Sequence, residues 1–323
     1  MQPTSRIFVA GHAGLVGSAL MRRLHADGFE HTLTATREEL DLRDQAAVND
    51  WFRDNRPEYV FLVAGTVGGV YINSIRPASF IYDNVMIHAN VVHAAHRRNV
   101  TKLLYTGSSC IYPRDCAQPI TEEMLLSGPL EKTNEWYAIA KISGVKMCQA
   151  FRQQYGCDFV SAMPTNLYGP NDNFDLTSSH VLPALIRKFD DAKNAGRTEV
   201  EIWGTGSPRR EFLHVDDLAS ASLYLMQHYS APEPLNVGTG EELSIRQLAE
   251  MVRDAVHPTA RLTFDRSKPD GTPRKLLDVS RLHALGWRHS IELAEGIATT
   301  YRWFLSHKND ARGLTTAPAT AQP

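Results

Sequence analysis

Two short stretches of the chain carry side chains that could exchange protons. Ser108 is followed closely by Cys110, and Tyr137 stands four residues before Lys141. A spacing of four places two side chains on one face of a helix. An ammonium near a phenol favours the phenolate, so the tyrosine could exchange a proton near neutral pH although its unperturbed pKa is about 10. With a serine hydroxyl beside it to hold a carbonyl oxygen, the set predicts acid–base chemistry.

The same spacing also occurs by chance, and a surface pair that only stabilises its helix is the simple alternative. The start of the chain favours chemistry. Residues 6–10 are typical of a buried strand, a Gly-x-x-Gly-x-x-Gly pattern follows, and residues 18–27 have a helical pattern that stops at Gly28. Glycines between a strand and a helix permit a tight turn and bring a pyrophosphate to the helix N-terminus. We therefore predict dinucleotide binding by Gly11, His12, Ala13, Gly14, Leu15, Val16 and Gly17.

The segment after the second strand selects the cofactor. Residues 31–36 are predicted to form that strand, and Arg37 follows it directly. NAD-binding proteins usually place a carboxylate here to hold the ribose 2′-hydroxyl, whereas an arginine suits a 2′-phosphate. Glu38 and Glu39 are interpreted as the first turn of a solvated loop or helix, so NADP is favoured over NAD. The predicted cofactor contacts of this segment are Arg37, Glu38, Glu39, Leu40, Asp41 and Leu42, with the adenine near the last two.

Three further strands should end at the same edge of a sheet. Residues 59–65, 102–106 and 158–163 each have a strand pattern, and the second of them leads directly to Ser108. One long helix is predicted from residue 77 to about residue 98, and another, after residues 133–135, carries Tyr137 and Lys141. Because parallel sheets bind ligands at the carboxyl ends of their strands, the reactive side chains are expected there.

No metal site is expected. His88, His93 and His96 fall on the first long helix without carboxylates or cysteines at ligand spacing, so we predict that all three lie on a solvated helix face. The four cysteines show neither zinc spacing nor a disulfide framework. Reduced thiols in a cytosol are the default for such a chain.

This alternation predicts an α/β fold, a Rossmann-type doubly wound parallel sheet with a smaller C-terminal α/β substrate lobe. We assign residues 1–170 to the NADP-binding domain, to which some later segments return, and residues 171–308 mainly to the substrate-binding lobe. The Ala/Thr/Pro-rich residues 309–323 are predicted to be a disordered tail.

Within the second part, a strand over residues 199–203 ends at Trp203, and two arginines, Arg209 and Arg210, follow it. The indole offers a face for a nucleobase, and the arginines offer charge to a diphosphate. A core tryptophan with a solvated basic loop explains the same residues equally well. Residues 269–275 are rich in turn formers and are not expected to be a mere linker.

Composition limits the partners. The 323 residues are 43% hydrophobic and 22% charged, with a formal net charge of -2. Nucleic acid is not expected, because no basic stripe is present to neutralise phosphates. A membrane is not expected either, because no apolar run approaches the ~20 residues of a spanning helix. The first residues lack a signal-peptide layout, so we expect a cytoplasmic protein.

Together these motifs resemble those of the extended short-chain dehydrogenase/reductase family, over residues 6 to about 304. The blocks that carry the resemblance are residues 11–18, 107–113, 137–141, 163–170 and 269–275. The glycine block and the Tyr/Lys block are shared across the family. Cys110, the Ser-His pair at 179–180 and residues 270–275 are narrower signals.

The resemblance implies NADP(H) as the cofactor. Ala13 stands where some relatives carry an arginine, which leaves more of the 2′-phosphate recognition to Arg37. The further cofactor contacts that it implies are Thr106, Gly107, Ser108, Ser109, Lys141, Pro164, Thr165, Asn166, Leu167 and His180.

The narrower signals imply an activity, the conversion of GDP-4-keto-6-deoxy-D-mannose to GDP-L-fucose by 3,5-epimerisation and then 4-keto reduction. Ser108, Tyr137 and Lys141 match the reductase set, in which the lysine lowers the phenol pKa and the tyrosine protonates the C4 oxygen. Cys110 and His180 match the epimerisation pair, with Cys110 as base and His180 as acid. The positions that match contacts to the GDP part are Lys188, Trp203, Arg210 and Asp270. The family also suggests a homodimer through long helices beside the sheet.

Three other interpretations stay open on these residues. A 4-epimerase or a 4,6-dehydratase of another nucleotide sugar shares the fold and the Tyr/Lys pair, and a 3,6-dideoxy analogue could be the substrate, as in colitose synthesis. A non-catalytic scaffold that senses a dinucleotide belongs to a different class. Such a scaffold would be expected to lose part of the Ser/Tyr/Lys set, and this chain retains all of it.

Overall fold

The computed structural model describes residues 1–268, 270–308 and 311–314. The strands are β1 (Ile7–Ala10), β2 (Thr32–Leu33), β3 (Tyr59–Leu62), β4 (Lys102–Thr106), β5 (Phe159–Pro164), β6 (Asn166–Tyr168), β7 (Glu199–Trp203), β8 (Arg209–Arg210), β9 (Phe212–His214), β10 (Leu235–Val237), β11 (Leu243–Ser244), β12 (Arg261–Asp265) and β13 (Arg274–Lys275). The helices are α1 (Leu15–Ala26), α2 (Gln45–Asn55), α3 (Val70–Ile75), α4 (Pro77–Arg97), α5 (Glu135–Tyr155), α6 (Val181–Asn194), α7 (Val215–His228), α8 (Ile245–Val256), α9 (Ser280–Ala284) and α10 (Leu293–Ser306). Short 3-10 helices cover Ser109–Ile111 and Glu122–Met124.

The central sheet has six strands in the order β10-β5-β4-β3-β1-β2. Every neighbouring pair is parallel. The chain leaves β1 for β2 on one side and then crosses to β3 on the other, which creates a switch point between β1 and β3. The predicted Rossmann-type doubly wound sheet is confirmed.

Helices cover both faces of this sheet. On one face, Phe52 of α2, Val91 of α4 and Val145 of α5 belong to one buried apolar cluster. On the other face, Leu20 of α1 and Leu218 of α7 belong to a second cluster. Because it is covered on both faces, β1 is buried along its whole length, which explains its unbroken apolar sequence.

A third apolar cluster lies in the second part of the chain, where α6, α8 and α10 pack against one another. Helix α8 begins with a capping box, because Ser244 and Gln247 each bond the backbone of the other. Strand β7 alternates exposed and buried residues, so that Trp203 lies on its exposed side. Strand β10 comes from this part of the sequence but pairs with β5 of the central sheet. The domain boundary near residue 170 stays a prediction.

Strand β3 ends at Leu62, earlier than the predicted residue 65, and a side chain pairs with the backbone further along. Asn84 of α4 accepts a hydrogen bond from Thr66 N and donates one to Thr66 O, both at 3.0 Å. A Cβ on Gly65 would lie 2.6 Å from Asn84 Oδ1, so only glycine lets this asparagine approach. The backbone that follows β3 is therefore tied to α4.

The prediction for the three histidines of α4 is wrong for His88. Its side chain is fully buried, whereas His93 and His96 are half-buried. His88 lies 3.2 Å from the Tyr105 hydroxyl through Nδ1, so a polar partner within the core satisfies it. Stacking of His96 on Tyr155, with ring centroids 4.1 Å apart, keeps that ring partly covered as well.

Within the described residues, no helix is long and apolar enough to span a membrane. Of the predicted tail, residues 309, 310 and 315–323 lie outside the described residues, as does Pro269 of the turn-rich stretch. The short described piece 311–314 contacts the second part of the chain, where Phe174 N donates to Arg312 O at 3.0 Å.

Candidate active site

The glycine-rich turn between β1 and α1 allows no side chains at two positions. Gly11 has a φ of +95°, and a Cβ on it would lie 2.8 Å from Ala64 Cα. A Cβ on Gly17 would overlap the carbonyl oxygen of Gly11. Gly14 is the N-cap of α1 and has no side chain that could accept a hydrogen bond from the first amides of the helix. These amides are therefore available to a ligand. This arrangement suits a pyrophosphate.

Buried polar atoms near this turn also fit a dinucleotide. His12 Nδ1 and Thr106 Oγ1 are buried and have no hydrogen-bond partner among the described residues. Both residues belong to the predicted cofactor contacts. Gly107 and Ser109, beside Thr106, are buried as well, and a Cβ on Gly107 would overlap Met163.

Strand β2 ends at Leu33, whereas residues 31–36 are predicted to form it. The loop that carries Arg37 therefore begins three residues earlier than expected. Thr36 and Glu39 close a turn of their own, in which Thr36 N donates to Glu39 Oε2 at 2.8 Å and Glu39 N donates to Thr36 Oγ1 at 3.3 Å. The first of these bonds lowers the pKa of Glu39. Arg37 and Glu38 are exposed, and Arg37 forms no ion pair within the described part of the chain.

The predicted adenine segment is tied to α4 by two arginine contacts. Arg43 pairs with Asp41 at 2.6 Å and with Asp83 at 3.0 Å. The hydrogen bonds from Arg43 lower the pKa of Asp41 to about 2. Asn90 Nδ2 donates to Leu42 O at 3.0 Å, so the backbone of the segment is held as well.

Strand β4 and helix α5 bring the predicted reductase residues together. Cys110 N donates to Ser108 Oγ at 3.3 Å, which opens the short 3-10 helix. Lys141 is only 3% exposed, and its Nζ donates to Thr106 O at 2.8 Å. The same ammonium lies 5.7 Å from the centroid of the Tyr137 ring. The two stretches that the sequence analysis singled out are therefore neighbours.

The protonation of this set differs from the sequence expectation. Burial raises the pKa of Tyr137, the adjacent Cys110 raises it further, and a hydrogen bond with Ser108 opposes the rise. Burial lowers the pKa of Lys141 to about 8. The expected lowering of the phenol pKa by Lys141 is thus outweighed by desolvation, and Tyr137 keeps its proton near neutral pH. A protonated phenol is the form that can act as an acid.

Lys275 lies close to both members of the predicted epimerisation pair. Burial raises the pKa of the Cys110 thiol, and Lys275, a Ser108 hydrogen bond and Lys141 each oppose that rise. Desolvation in the cleft lowers the pKa of His180, and the Lys275 cation lowers it further. Both shifts favour a neutral thiol and a neutral imidazole. If Cys110 is the base and His180 the acid, the reaction must instead start from a thiolate and an imidazolium. The assignment of base and acid stays a prediction.

His180 is held in place by the loop that follows β3. Gly69 N donates to Ser178 O at 2.9 Å. A Cβ on Gly69 would lie 2.6 Å from Ser179 O, so the two backbones meet closely. His180 itself is the N-cap of α6 and makes no side-chain capping bond, which leaves its ring available.

Two of the predicted substrate contacts, Lys188 and Trp203, lie together. The Lys188 Nζ is 4.9 Å from the Trp203 ring centroid, and the Lys268 Nζ is 5.5 Å from it. Trp203 is 51% exposed, which excludes the core-tryptophan alternative. Lys188 also donates to Glu201 O at 3.0 Å. An exposed indole beside two ammonium groups suits an anionic nucleotide.

The other two predicted substrate contacts, Arg210 and Asp270, are also neighbours. Asp270 Oδ1 accepts a hydrogen bond from Thr205 N at 2.7 Å. Desolvation lowers the pKa of Arg210, and the charge of Asp270 opposes this. Arg209, in contrast, pairs with Glu242 at 2.9 Å. Of the two adjacent arginines, Arg210 is the one that lies near Asp270 and Gly271.

The segment after β5, residues 165–167, is held by hydrogen bonds and apolar packing to other parts of the chain. Thr165 Oγ1 and Asn166 Nδ2 donate to Glu211 O at 3.2 Å and 2.8 Å. Leu167 packs against the second apolar cluster, and Pro164 ends the strand. These contacts fix the segment at the carboxyl edge of the sheet, and its role in cofactor binding stays a prediction.

Lys275 and Glu211 are neighbouring charged residues to which no sequence motif assigns an individual role. Glu211 is fully buried and accepts hydrogen bonds from Thr239 N at 2.6 Å, Gly240 N at 2.8 Å and Leu277 N at 3.0 Å. Burial lowers the pKa of Lys275, whereas the nearby Cys110 thiol and Glu211 carboxylate raise it. In the sequence, Glu211 is marked only by its place directly after Arg209 and Arg210, and this pattern does not predict a buried carboxylate near Lys275.

The parallel sheet, the bare helix N-terminus at its switch point and the Ser/Tyr/Lys set define a Rossmann-type dinucleotide-dependent enzyme. Within the described residues, no cluster of three or more His, Cys, Asp or Glu side chains is suited to a metal ion.

Residues 7–238 match the NAD dependent epimerase/dehydratase family. The chain is 55% identical to the probable GDP-L-fucose synthase 1 of Oryza sativa subsp. japonica, over 95% of this chain and 94% of that protein. It is 51% identical to the GDP-L-fucose synthase of Escherichia coli (strain K12), over 95% and 99%. A GDP-L-fucose synthetase of Naegleria fowleri solved with NADP superposes with a TM-score of 0.91 at 32% identity, over 97% of this chain and 96% of that one. The chain belongs to the NAD dependent epimerase/dehydratase family.

Proposed function

We propose that this chain is an NADPH-dependent enzyme that converts GDP-4-keto-6-deoxy-D-mannose to GDP-L-fucose. The observation that carries the proposal is the neighbourhood of Cys110, whose thiol is hydrogen-bonded to Ser108 and lies near both Tyr137 and Lys275. An enzyme that only oxidises and reduces C4 needs the Ser/Tyr/Lys set alone. A second pair of proton-transfer groups, Cys110 and His180, calls for chemistry at further carbon atoms. The names of the two relatives described above support the same substrate.

The cofactor is NADP(H). Arg37 is exposed and without an ion pair within the described residues, whereas Glu39 is engaged in its own turn and is not free for a ribose 2′-hydroxyl. The bare N-terminus of α1 would hold the pyrophosphate. When bound, NADPH supplies the hydride that reduces C4.

The epimerisation uses the acidity of the substrate. In a 4-keto sugar, the hydrogens on C3 and C5 flank the carbonyl and can be removed as protons. Each inversion needs a base on one face and an acid on the other, with the enolate oxygen stabilised between them. Cys110 and His180 are the pair that we propose for both centres. Ser108 and Tyr137 lie where they can donate hydrogen bonds to the C4 oxygen.

In the reduction, Tyr137 donates its proton to the C4 oxygen. Its raised pKa keeps the phenol protonated until negative charge develops on that oxygen. Lys141 holds the nicotinamide ribose, and Ser108 orients the carbonyl. Because Tyr137 and Cys110 face the same carbonyl group, one bound substrate can undergo both half-reactions without leaving the cleft.

The GDP part is assigned to the second part of the chain, residues 171–308. Trp203 would stack on the guanine, and Lys188 and Arg210 would face the diphosphate, with Asp270 beside them. The lobe and the central sheet then close on the sugar from two sides.

We also propose a cytoplasmic homodimer formed through α4 and α5. The exposed apolar side chains of Tyr82 on α4, and of Trp136 and Tyr155 on α5, support a partner on these helices. Sedimentation of the purified protein tests this assembly.

The activity is tested by incubation with GDP-4-keto-6-deoxy-D-mannose and NADPH, with the product identified by NMR. One NADPH should be consumed for each GDP-L-fucose formed. A 4-epimerase or 4,6-dehydratase returns the hydride and would consume none, and a sensing scaffold would bind NADPH without any turnover. Faster turnover of the 3,6-dideoxy analogue would change the substrate but not the reaction.

A further inference from the structure

The proposed mechanism leaves unused an aromatic ring beneath Lys141. Tyr105 of β4 is fully buried, and the Lys141 Nζ lies 5.2 Å from its ring centroid, nearer than to the Tyr137 ring. The same Nζ donates to Thr106 O at 2.8 Å. Lys141 forms no salt bridge with a carboxylate in the described part of the chain. A buried ammonium without a counter-ion needs other negative potential around it.

The Tyr105 ring is fixed on three sides. Its hydroxyl lies 3.2 Å from His88 Nδ1 and donates to Lys141 O at 3.4 Å. The rings of Tyr105 and His88 meet edge to face, with centroids 4.8 Å apart. On α5, a Cβ on Gly144 would overlap the phenol, so that glycine lets the helix lie directly on the ring. This packing leaves the ring a single position under the lysine.

We propose that Tyr105 is a positioning residue for Lys141, with its aromatic face and the Thr106 carbonyl together holding the ammonium in the cofactor site. The face of an aromatic ring carries negative potential and attracts a cation most strongly where water is excluded. His88 acts one step further away, because its ring packs edge to face against the Tyr105 ring, a contact that does not need the hydroxyl. The inference rests on the proposed function in that it assigns Lys141 to the nicotinamide ribose.

The other titratable groups around Lys141 do not replace this support. Cys110 and Tyr137 are neutral when protonated, and burial raises the pKa of each. Burial and the Lys141 charge lower the pKa of His88, so it too is neutral. The Thr106 carbonyl and the aromatic rings therefore supply the negative potential at this ammonium, and the Tyr105 ring is the nearer of the two rings, at 5.2 Å against 5.7 Å for Tyr137.

The test compares Tyr105→Leu, which removes the ring, with Tyr105→Phe, which keeps it and removes only the hydroxyl. Tyr301→Leu is the matched control, because Tyr301 is also a buried tyrosine with Lys193 over its ring at 5.9 Å and a hydroxyl bonded to Asp190 at 3.0 Å, but it lies in the third apolar cluster. NADPH dissociation constants are measured by fluorescence between pH 6 and pH 9, together with kcat and melting temperature.

Tyr105→Leu should weaken NADPH about tenfold at neutral pH, the range of a desolvated cation–aromatic contact. Loss of the ring destabilises the charged lysine, so the pH above which NADPH affinity falls should move down by about one unit from its wild-type position. Tyr105→Phe should stay within about twofold of the wild type, and Tyr301→Leu should change the melting temperature without moving the pH profile.

An unchanged pH profile and affinity in Tyr105→Leu would overturn the proposal, as would equal losses in Tyr105→Leu and Tyr301→Leu. If Tyr105→Leu does not fold, Tyr105→Met replaces it, because the longer side chain fills more of the space, and the same two criteria apply. The proposed function can fail separately: a wild-type protein without turnover of the GDP sugar refutes that function, while NADPH affinity and its pH dependence still decide the role of Tyr105.

Discussion

Replacement of Cys110 by serine separates the two half-reactions. The side chain is 7% exposed, and serine changes one atom in nearly the same volume, so unfolding should become easier by about 1 kcal/mol at most. The Ser108, Tyr137 and Lys141 set and the cofactor site should stay intact. What changes is the proton-transfer group that faces C3 and C5.

The expected loss follows from acidity. An ordinary thiol ionises near pH 8.5, and at this position Lys275, Lys141 and a Ser108 hydrogen bond all favour the thiolate against burial. A serine hydroxyl in the same field ionises far less readily, and it is also a weaker acid if cysteine is the proton donor. Loss of a positioned acid or base usually costs 10² to 10⁴ in rate, so exchange at C3 and C5 should slow by about that factor.

The assay is solvent-deuterium incorporation into the keto sugar with NADP⁺ bound, so that reduction is blocked. Proton NMR follows loss of the H3 and H5 signals. Cys116→Ser is the matched control, because Cys116 is a half-buried thiol that also lies near Lys275 but is outside the proposed pair. With NADPH present instead, Cys110→Ser should reduce some unepimerised sugar and release a 6-deoxy product of the wrong configuration. Wild-type exchange rates in Cys110→Ser would leave this cysteine with a packing role only.

Three other perturbations test separate parts of the site. Arg37→Ala should weaken NADPH by roughly one to two decades, the value of a charge-assisted contact of about 1.5–3 kcal/mol, and should leave NADH unchanged; equal losses would misplace the specificity determinant. Tyr137→Phe should lower the rate of NADPH oxidation by about 10² to 10⁴ while deuterium still enters C3 and C5 under NADP⁺, and near-normal oxidation would remove the phenol from the mechanism. Burial raises the pKa of Asp172 from 3.8 to about 7, so the folded protein keeps a proton that the unfolded chain loses, and stability should fall as pH rises from about 4 to 7. Asp172→Asn should remove that part of the slope, which is at most about 2 kcal/mol between pH 5 and pH 7 in denaturant unfolding; an unchanged slope would show that Asp172 is ionised in the folded state.

The sequence predicted the parts of the fold that follow a local rule. Gly11 and Gly17 stand where a tight turn and a close backbone contact require glycine, and β1 is apolar throughout because both of its faces are covered. The exposure of Arg37 and the engagement of Glu39 follow from a turn that the four residues 36–39 close by themselves. Such features depend on neighbours in the chain, which is why a local sequence pattern can indicate them.

Contacts between distant segments were not predictable in the same way. The backbone of Thr66, beyond the end of β3, is paired by the side-chain amide of an asparagine 18 residues further on. His88 was expected in solvent because its helix offered no metal partners, but a tyrosine of β4 supplies a hydrogen-bonding group inside the core. No period or spacing in the sequence links these residues, since each pairing exists only after α4 has docked on the sheet.

The same limit applies to the electrostatics, and there it changes the chemistry. From the sequence, the lysine four residues after Tyr137 should lower the phenol pKa, but the folded cleft removes water from both groups, and desolvation dominates. The cleft also adds Lys275, a second cation 134 residues along the chain from Lys141, so that two lysines favour the thiolate of Cys110. Negative charge is therefore costly on Tyr137 and less costly on Cys110. In the proposed mechanism, that difference suits the phenol to proton donation at C4, and it suits the thiol to the exchange of a proton as C3 and C5 are inverted.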